Sequence, residues 1–332
     1  MTQRALVTGA GGFIGHHLVT YLKERGYWVR GVDLKRPEYT SIDADEFELL
    51  DLRRQDAAEQ ALRGGFDEVY ALAADMGGMG FISAHHAEIL RNNALINLHT
   101  IEAARQVGVG RYLYSSSACI YPEYLQTDAD VKPLREEDAY PAQPQDAYGW
   151  EKLVTEKLCE YYYSDYGLET RIVRFHNIYG PNGTYDGGRE KAPAALSRKI
   201  AAVDDGGEIE IWGDGEQTRS FCHVDDCVEG IYRLMQSDHR EPLNLGTDRM
   251  VTINQLAEII RVISGKRDIG IRHIDGPQGV RGRNSDNTRL REVLGWEPAI
   301  DLEEGLVGTY RWIESRVRGG ERSAVEASAA VA

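Results

Sequence analysis

The chain opens with a short apolar run, Ala5-Leu-Val-Thr8, that leads into a glycine-rich turn, Gly9-Ala-Gly-Gly-Phe-Ile-Gly15. Few backbones accept such a stretch. His16 to Arg25 reads as a helix with Leu18, Val19 and Leu22 on one face, and Trp28 to Asp33 reads as a second strand. The three elements form a β-α-β unit. Gly9, Gly12 and Gly15 permit a tight turn, close approach of the backbone to a pyrophosphate, and close packing of the helix. The helix N-terminus then aims free N–H groups at the phosphates. Asp33 stands at the end of the second strand. A carboxylate there accepts hydrogen bonds from the adenosine ribose and repels a 2′-phosphate, which favours NAD over NADP. Lys35 and Arg36 follow it and weaken that preference.

Further strand-like and helical segments alternate. Phe47 to Asp51, Val69 to Ala73, Arg111 to Ser115 and Thr170 to Arg174 read as strands, and Asn93 to Val107 and Ala147 to Tyr166 as helices. Strict alternation indicates a parallel sheet covered on both faces, with ligands bound beyond the carboxyl ends of the strands. Gly9, Asp33, Asp51, Ala73 and Ser117 fall at such ends. After Arg174 the texture changes to turn-rich segments, a helix over Glu190 to Ala202, a strand from Ile209, a helix over Thr252 to Ile263 and a polar loop over Arg281 to Asp286. Phe221 to Met235 is expected to return to the first lobe. The expected class is α/β, a doubly wound parallel-sheet Rossmann domain with a smaller interleaved α/β substrate domain. The first spans 1–174 plus about 220–247, the second about 175–219 plus 248–318, and 319–332 forms a flexible tail.

The 332 residues carry 38 Lys and Arg against 53 Asp and Glu, a formal charge of −15. Such a balance disfavours nucleic acid and anionic membranes as partners. A phosphate-bearing ligand therefore needs local arginines and lysines. The four cysteines, Cys119, Cys159, Cys222 and Cys227, show no metal-ligand spacing. Their sparseness, the direct start into a strand and the lack of a long apolar run point to a cytoplasmic protein. His85-His86 reads as a solvated helix start rather than a metal site, and no metal is expected.

The chemistry is concentrated in two places. The strand ending at Tyr114 turns into Ser115-Ser-Ser-Ala-Cys119, and Tyr148 and Lys152 follow at helical spacing i, i+4, which puts them on one face. Ser117, Tyr148 and Lys152 form a proton-handling set, with Cys119 as an additional acid–base candidate. A phenol titrates near ~10 and needs a nearby cation to act as a base near neutrality. A thiol titrates near ~8.5.

With the glycine turn, Asp33, the serine row and Tyr148-Gly-Trp-Glu-Lys152, the chain resembles the extended short-chain dehydrogenase/reductase family, which uses NAD(P) to act on nucleotide sugars. Several segments resemble the members that act on GDP-mannose: Ala73 to Ile82, Ser115 to Pro122, Arg174 to Pro181, Gly187 to Pro193, Gly213 to Ser220 and Gly279 to Asp286. The resemblance implies transient oxidation at C4 of the hexose with Tyr148 as proton acceptor. The resemblance further implies that the C3 and C5 centres, whose protons the 4-ketone makes acidic, are inverted by removal of a proton from one face and its return on the other, and that C4 is then reduced again. GDP-L-galactose is the product, or GDP-L-gulose when C5 alone inverts. Lys191 resembles the second acid/base, opposite Cys119. Related 4,6-dehydratases carry Thr-Asp-Glu where this chain has Ser117-Ala118-Cys119. Ala118 cannot deliver the proton that dehydration needs. Cofactor contacts implied by the resemblance add Phe13, Ile14, Asp51, Leu52 and Ala73. Substrate contacts add Gly77, Asn177, Glu190, Ala192, Lys199 and Gln217, with Arg219 and Arg283 as diphosphate clamps, since a guanidinium meets phosphate in a paired geometry. Other enzyme readings are another NAD-dependent nucleotide-hexose epimerase or a 4,6-dehydratase. A non-catalytic dinucleotide-binding regulator is the reading from a different class, and retention of Tyr148, Lys152, Cys119 and Lys191 speaks against it.

The helices at Asn93–Val107 and Ala147–Tyr166 resemble those that pair into a four-helix dimer interface in this family. Light scattering on the purified protein is expected to give twice the mass of one chain; a single-chain mass refutes the homodimer.

Overall fold

The computed structural model describes residues 2–329, with side chains through residue 319. Its first lobe is built on seven strands: β1 Arg4–Thr8, β2 Trp28–Asp33, β3 Glu46–Leu49, β4 Glu68–Ala71, β5 Arg111–Ser117, β6 Thr170–Phe175 and, late in the chain, Pro242–Leu245. They form one parallel sheet in which the late strand pairs with β6, and β6, β5, β4, β1, β2 and β3 follow in order. Strand side chains alternate between two cores. Ala5, Val7, Tyr70, Leu113 and Val173 face one side. Leu6, Val69, Ala71, Tyr112, Tyr114 and Ile172 face the other. Because both faces are buried, the strands read as continuous apolar runs.

Helix α1, Phe13–Glu24, covers the first face through Leu18, Val19 and Leu22. The segment Val224–Gln236 joins it there through Cys227, Val228, Ile231 and Leu234, so this late helix packs on the same face of the sheet. The opposite face is covered by α2 Gln55–Ala61, α4 His86–Val107 and α5 Ala147–Tyr166, with the short α3 Met79–Ile82 preceding α4. The arrangement is the doubly wound sheet expected from the alternation. Helix α4 starts seven residues earlier than its apolar periodicity implies, because His86–Asn92 carries mostly polar residues. Glycines in the left-handed region end α4 and α5, at Gly108 and Gly167.

The second lobe alternates with returns to the first. Strand β7 Ile178–Tyr179 is followed by α6 Ala192–Ala202, β8 Glu208–Trp212, β9 Thr218–Ser220 and β10 Cys222–His223. The returning helix is α7 and the late sheet strand β11. Then come β12 Met250–Thr252, α8 Ile253–Ser264, β13 Gly270–Ile274, β14 Gly282–Arg283, α9 Thr288–Leu294 and α10 Leu302–Ala329. Leu196 and Ile200 of α6, Leu256 and Ile260 of α8, and Leu306 and Tyr310 of α10 share its core with Ile209 and Ile211. Helix α6 begins at Ala192 because Pro193 suits a first-turn position and Lys191 is still extended. The segment expected as a polar loop, Arg281 to Asp286, is instead largely buried and contributes β14. Its polar groups find partners: Ser285 Oγ donates to Asn287 Oδ1 at 2.9 Å, and Asn287 Nδ2 donates to the Gly246 carbonyl at 2.8 Å. The tail expected at 319–332 falls largely outside the described side chains; the helix α10 trace runs to Ala329, and residues 330–332 lie outside the described residues.

A buried ion pair joins β6 to α5. Arg174 and Glu156 are 2% and 4% exposed, and the guanidinium grips the carboxylate with two bonds of 2.9 and 2.7 Å. Arg174 also donates to the Glu136 carbonyl and to Tyr121 Oη. Removing one partner of a buried pair leaves an uncompensated charge, so Glu156→Gln is expected to lower unfolding free energy by about 3 kcal/mol or more in urea titration. Nearby, His176 is fully buried; its Nε2 lies 3.0 Å from Asn244 Oδ1, and burial lowers its pKa to about 3. The unfolded chain takes up this proton below about 6.5 and the folded chain does not, so stability falls as pH drops through that value. By pH ~5 this one group costs about 2 kcal/mol. Urea midpoints of His176→Asn are expected to fall less steeply between neutral pH and pH ~5 than those of the parent.

Candidate active site

The glycine turn is packed so that larger residues do not fit. A Cβ on Gly15 would lie 2.0 Å from the Gly9 carbonyl oxygen, and one on Gly11 2.0 Å from that of Lys35. Gly9 takes φ +71° against the backbone of Ala73. Gly12 precedes α1 with no side-chain cap, which leaves the N–H groups of the first turn, Phe13 and Ile14 among them, free for an anion. Asp33 Oδ2 accepts from the Gly11 N–H at 3.0 Å, and burial raises its pKa despite backbone donors at Lys35 and Gly11. These features fit a dinucleotide with its pyrophosphate at α1 and its adenosine ribose at Asp33. Ala73 N–H donates to Thr8 Oγ1 at 3.2 Å. Leu52 is buried, while the Asp51 carboxylate is held by Arg53 through bonds of 2.8 and 2.7 Å, which lower its pKa.

Helix α5 brings the proton-handling set together. Asp146 caps it, accepting from the Gly149 N–H at 2.8 Å. A Cβ on Gly149 would sit 2.2 Å from the Cys119 carbonyl oxygen, so glycine here lets the helix lie directly on the turn after β5. Tyr148 is thereby buried, with Ser117 as a hydrogen-bonding neighbour of its hydroxyl. Burial pushes the phenol well above its usual range, and the nearby Cys119 and Glu151 add to this. Lys152 is 1% exposed; its Nζ donates to the Ser115 carbonyl at 2.7 Å and lies 5.6 Å from the Tyr148 ring centre. Burial lowers its pKa, opposed by Glu151 and Glu156. Beyond Ser117 a short 3₁₀ turn, Ala118–Ile120, leaves Ala118 buried and Cys119 partly open, with the Cys119 N–H on Ser117 Oγ at 3.2 Å.

Across the cleft, Lys191 is extended just before α6. Its side chain is open to solvent along the cleft, yet the surrounding protein desolvates the ammonium and lowers its pKa; the Cys119 sulfur is near enough to oppose this. The water that reaches the cleft makes this lowering milder than full burial would. Glu190, beside it, accepts from the Gly188 N–H at 2.7 Å and from Arg198 at 3.3 Å. Gly77 and Gly78 pack against this segment; a Cβ on Gly78 would lie 2.4 Å from the Glu190 carbonyl oxygen.

Arg219 and Arg283 are register partners on β9 and β14. Among the described residues neither forms an ion pair with a carboxylate. Arg219 donates to the carbonyls of Thr218 at 2.7 Å and Val280 at 2.6 Å, and burial beside Arg283 lowers its pKa to about 9. Two adjacent guanidiniums without a counter-ion form a site for a multiply charged anion. Arg283 reaches further than a diphosphate clamp alone requires: its Nη1 lies 3.3 Å from Cys119 Sγ, and its Nε donates to Gln126 Oε1 at 2.6 Å. Nothing in the chain order signalled the Gln126 contact, whereas the glycine at 149, inside a helical run, was a readable sign of close approach. Gln217 is buried with Nε2 on the Trp212 carbonyl and Oε1 without a partner. Asn177, at φ 46°, donates to the Ser220 carbonyl. Lys199 Nζ turns to the Glu210 carbonyl at 2.6 Å, and Ala192 opens α6. No group of three or more metal-ligating side chains occurs among the described residues, and no described helix is long and apolar enough to cross a membrane.

Comparison with known proteins identifies the family of the chain. The profile of the NAD dependent epimerase/dehydratase family matches residues 5–246. GDP-mannose 3,5-epimerase 1 of Oryza sativa subsp. japonica is 52% identical over 325 residues, covering 97% of this chain and 85% of its own. GDP-mannose 3,5-epimerase of Arabidopsis thaliana is 52% identical over 313 residues, covering 94% and 82%. Among solved structures, UDP-glucose 4-epimerase of Thermotoga maritima with UDP-glucose superposes with a TM-score of 0.85 at 29% identity, covering 95% of this chain and 100% of that one. The chain therefore belongs to the NAD dependent epimerase/dehydratase family, and the dinucleotide its glycine turn accommodates is NAD.

Proposed function

We propose that this protein inverts C3 and C5 of GDP-mannose through transient oxidation at C4, giving GDP-L-galactose, with GDP-L-gulose when C5 alone is inverted. One observation carries the reading. A thiol, Cys119, and an amine, Lys191, share one cleft with the Tyr148–Ser117–Lys152 set, and Ala118 stands between Ser117 and Cys119. The identity shared with plant GDP-mannose 3,5-epimerases supports it.

The N-terminus of α1 and Lys152 would hold NAD, which when bound would supply a reversible two-electron acceptor for C4. Tyr148 takes the proton of the C4 hydroxyl, and Ser117 hydrogen-bonds the same oxygen. Burial raises the pKa of the phenol, so accepting that proton calls for positive charge beside it, which Lys152 and a bound oxidised nicotinamide would supply. The 4-ketone acidifies the neighbouring C–H bonds. One of Cys119 and Lys191 removes a proton to form the enolate, and the other returns a proton to the opposite face. The Arg283 guanidinium, donating to the Cys119 sulfur, aims the thiol during that exchange. Sugar binding displaces water from the cleft and strengthens each of these interactions. Arg219 and Arg283 hold the diphosphate, and an alanine at 118 withholds the acid that dehydration requires.

The reading includes a homodimer formed through α4 and α5, supported by the exposed Leu90, Leu98, Trp150, Val154 and Tyr161 on those helices. It also includes a cytoplasmic setting, supported by four unpaired cysteines.

Incubation with GDP-mannose in deuterated water is expected to place deuterium at C3 and C5, read by NMR of the recovered nucleotide sugar. No exchange at C5, or a 4-keto-6-deoxy product, would falsify the reading. Cys119→Ala and Lys191→Ala are each expected to slow carbon-bound exchange by roughly 10²–10⁴-fold. Tyr148→Phe is expected to block the C4 step that precedes it. Exchange at the parent rate in Cys119→Ala removes the thiol from the mechanism.

A further inference from the structure

The segment that delivers Lys191 carries another unusual residue. Arg189 projects from the second-lobe stretch onto the first lobe. Its Nη1 donates to Asp75 Oδ1 at 3.2 Å and lies 3.4 Å from the Met76 carbonyl oxygen, and its guanidinium covers the Phe81 ring at 3.7 Å. The Arg189 carbonyl accepts from the Gly78 N–H at 3.0 Å. Asp75 is itself held firmly. Two buried asparagines of α4 grip it: Asn93 Oδ1 accepts from the Asp75 N–H at 2.6 Å, and Asn92 Nδ2 donates to Asp75 Oδ2 at 2.9 Å. Immediately before Arg189, Gly187 and Gly188 take left-handed φ values of 89° and 83°, and a Cβ on either would meet nothing within 4 Å.

We propose that Arg189 is the positioning residue for Lys191, fastening the 187–191 segment to Asp75 so that the amine stands across the cleft from Cys119. The argument is geometric. Lys191 lies two residues beyond Arg189, and its own backbone is extended rather than helical. The two glycines upstream allow that segment to swing. The swing is limited by the contacts Arg189 makes with Asp75, Met76, Gly78 and Phe81, together with the hold of Arg198 on Glu190. An acid–base group misplaced by an ångström loses much of its rate advantage, so a staple two residues away governs the proton transfer without touching substrate. The Arg189 side chain is half exposed. Its ion pair with Asp75 is thus of modest strength, as expected for a fastening that opens to admit a nucleotide sugar.

The inference rests on the reading of Lys191 as one of the two carbon acid/bases, and the test separates the two. Arg189→Ala and Asp75→Asn are compared with Lys191→Ala for solvent deuterium exchange at C3 and C5, for KM, and for the C4 step, followed by ultraviolet absorbance of reduced nicotinamide. Amide hydrogen exchange of 187–191 and 75–82 gives a readout independent of turnover. The expected result is a loss of carbon exchange of up to roughly 10²-fold in Arg189→Ala. The C4 step stays at the parent rate, and amide protection of both segments falls. The charge swap Asp75→Arg with Arg189→Asp is expected to recover part of the carbon exchange lost in either single variant. Parent-rate exchange in Arg189→Ala, alongside a dead Lys191→Ala, overturns the proposal alone. Parent-rate exchange in Lys191→Ala overturns the acid/base reading, and the proposal with it.

Discussion

The bidentate grip of Arg174 on Glu156 is the contact on which the geometry of the site depends. Arg174 ends in β6 and Glu156 lies in the middle of α5, so their pairing sets the height and rotation of the helix above the sheet. Ser116 of β5 donates to the same carboxylate, and Tyr121 and the Glu136 carbonyl complete the guanidinium's partners. A buried ion pair gains little net stability over an apolar substitute, but it is intolerant of misplacement, because either charge alone is costly. Here it serves registration. Two turns before Glu156, Tyr148 reaches Ser117, and one turn before it Lys152 reaches the Ser115 carbonyl. The strand end and the helix face can meet only in that register.

Around this fixed pair of elements the electrostatics are arranged against the protein's overall charge. A chain of formal charge −15 holds two adjacent arginines without a carboxylate partner among the described residues. Their mutual repulsion and desolvation are unfavourable, and a multiply charged anion placed beside them would offset both. The same arrangement puts Arg283 on the Cys119 sulfur, so the paired guanidiniums and the thiol form one connected set. Burial shifts Tyr148 and Lys152 in opposite directions, each toward its neutral form. The cleft is thus poised for charge that ligands bring with them.

Much of this was legible from residue order because the relevant signals are local. A β-α-β unit with glycines at 9, 12 and 15 leaves few conformations open, and a Cβ at 15 collides with the backbone at 9. The pair Tyr148 and Lys152 follows from helical periodicity. Less legible were elements whose identity depends on distant partners. The stretch from Arg281 to Asp286 is polar and reads as a surface loop, yet it is drawn inside because β9 pairs with its backbone and Gln126 and Asn287 accept from the Arg283 and Ser285 side chains. The first two turns of α4 lack apolar periodicity because Asn92 and Asn93 are spent on holding Asp75.

Residue order alone was enough for the class of fold and the dinucleotide turn, since each depends on neighbours within a few positions, and it nominated Cys119, Tyr148, Lys152 and Lys191 as candidate proton carriers. Only the folded chain decided which of those groups face one another. Cys119 and Arg283 are 164 positions apart and meet at 3.3 Å, and Arg189 finds Asp75 across 114 positions. Contacts of that span are set by how distant segments pack against one another, which depends on the summed packing of several cores that no short stretch of sequence encodes.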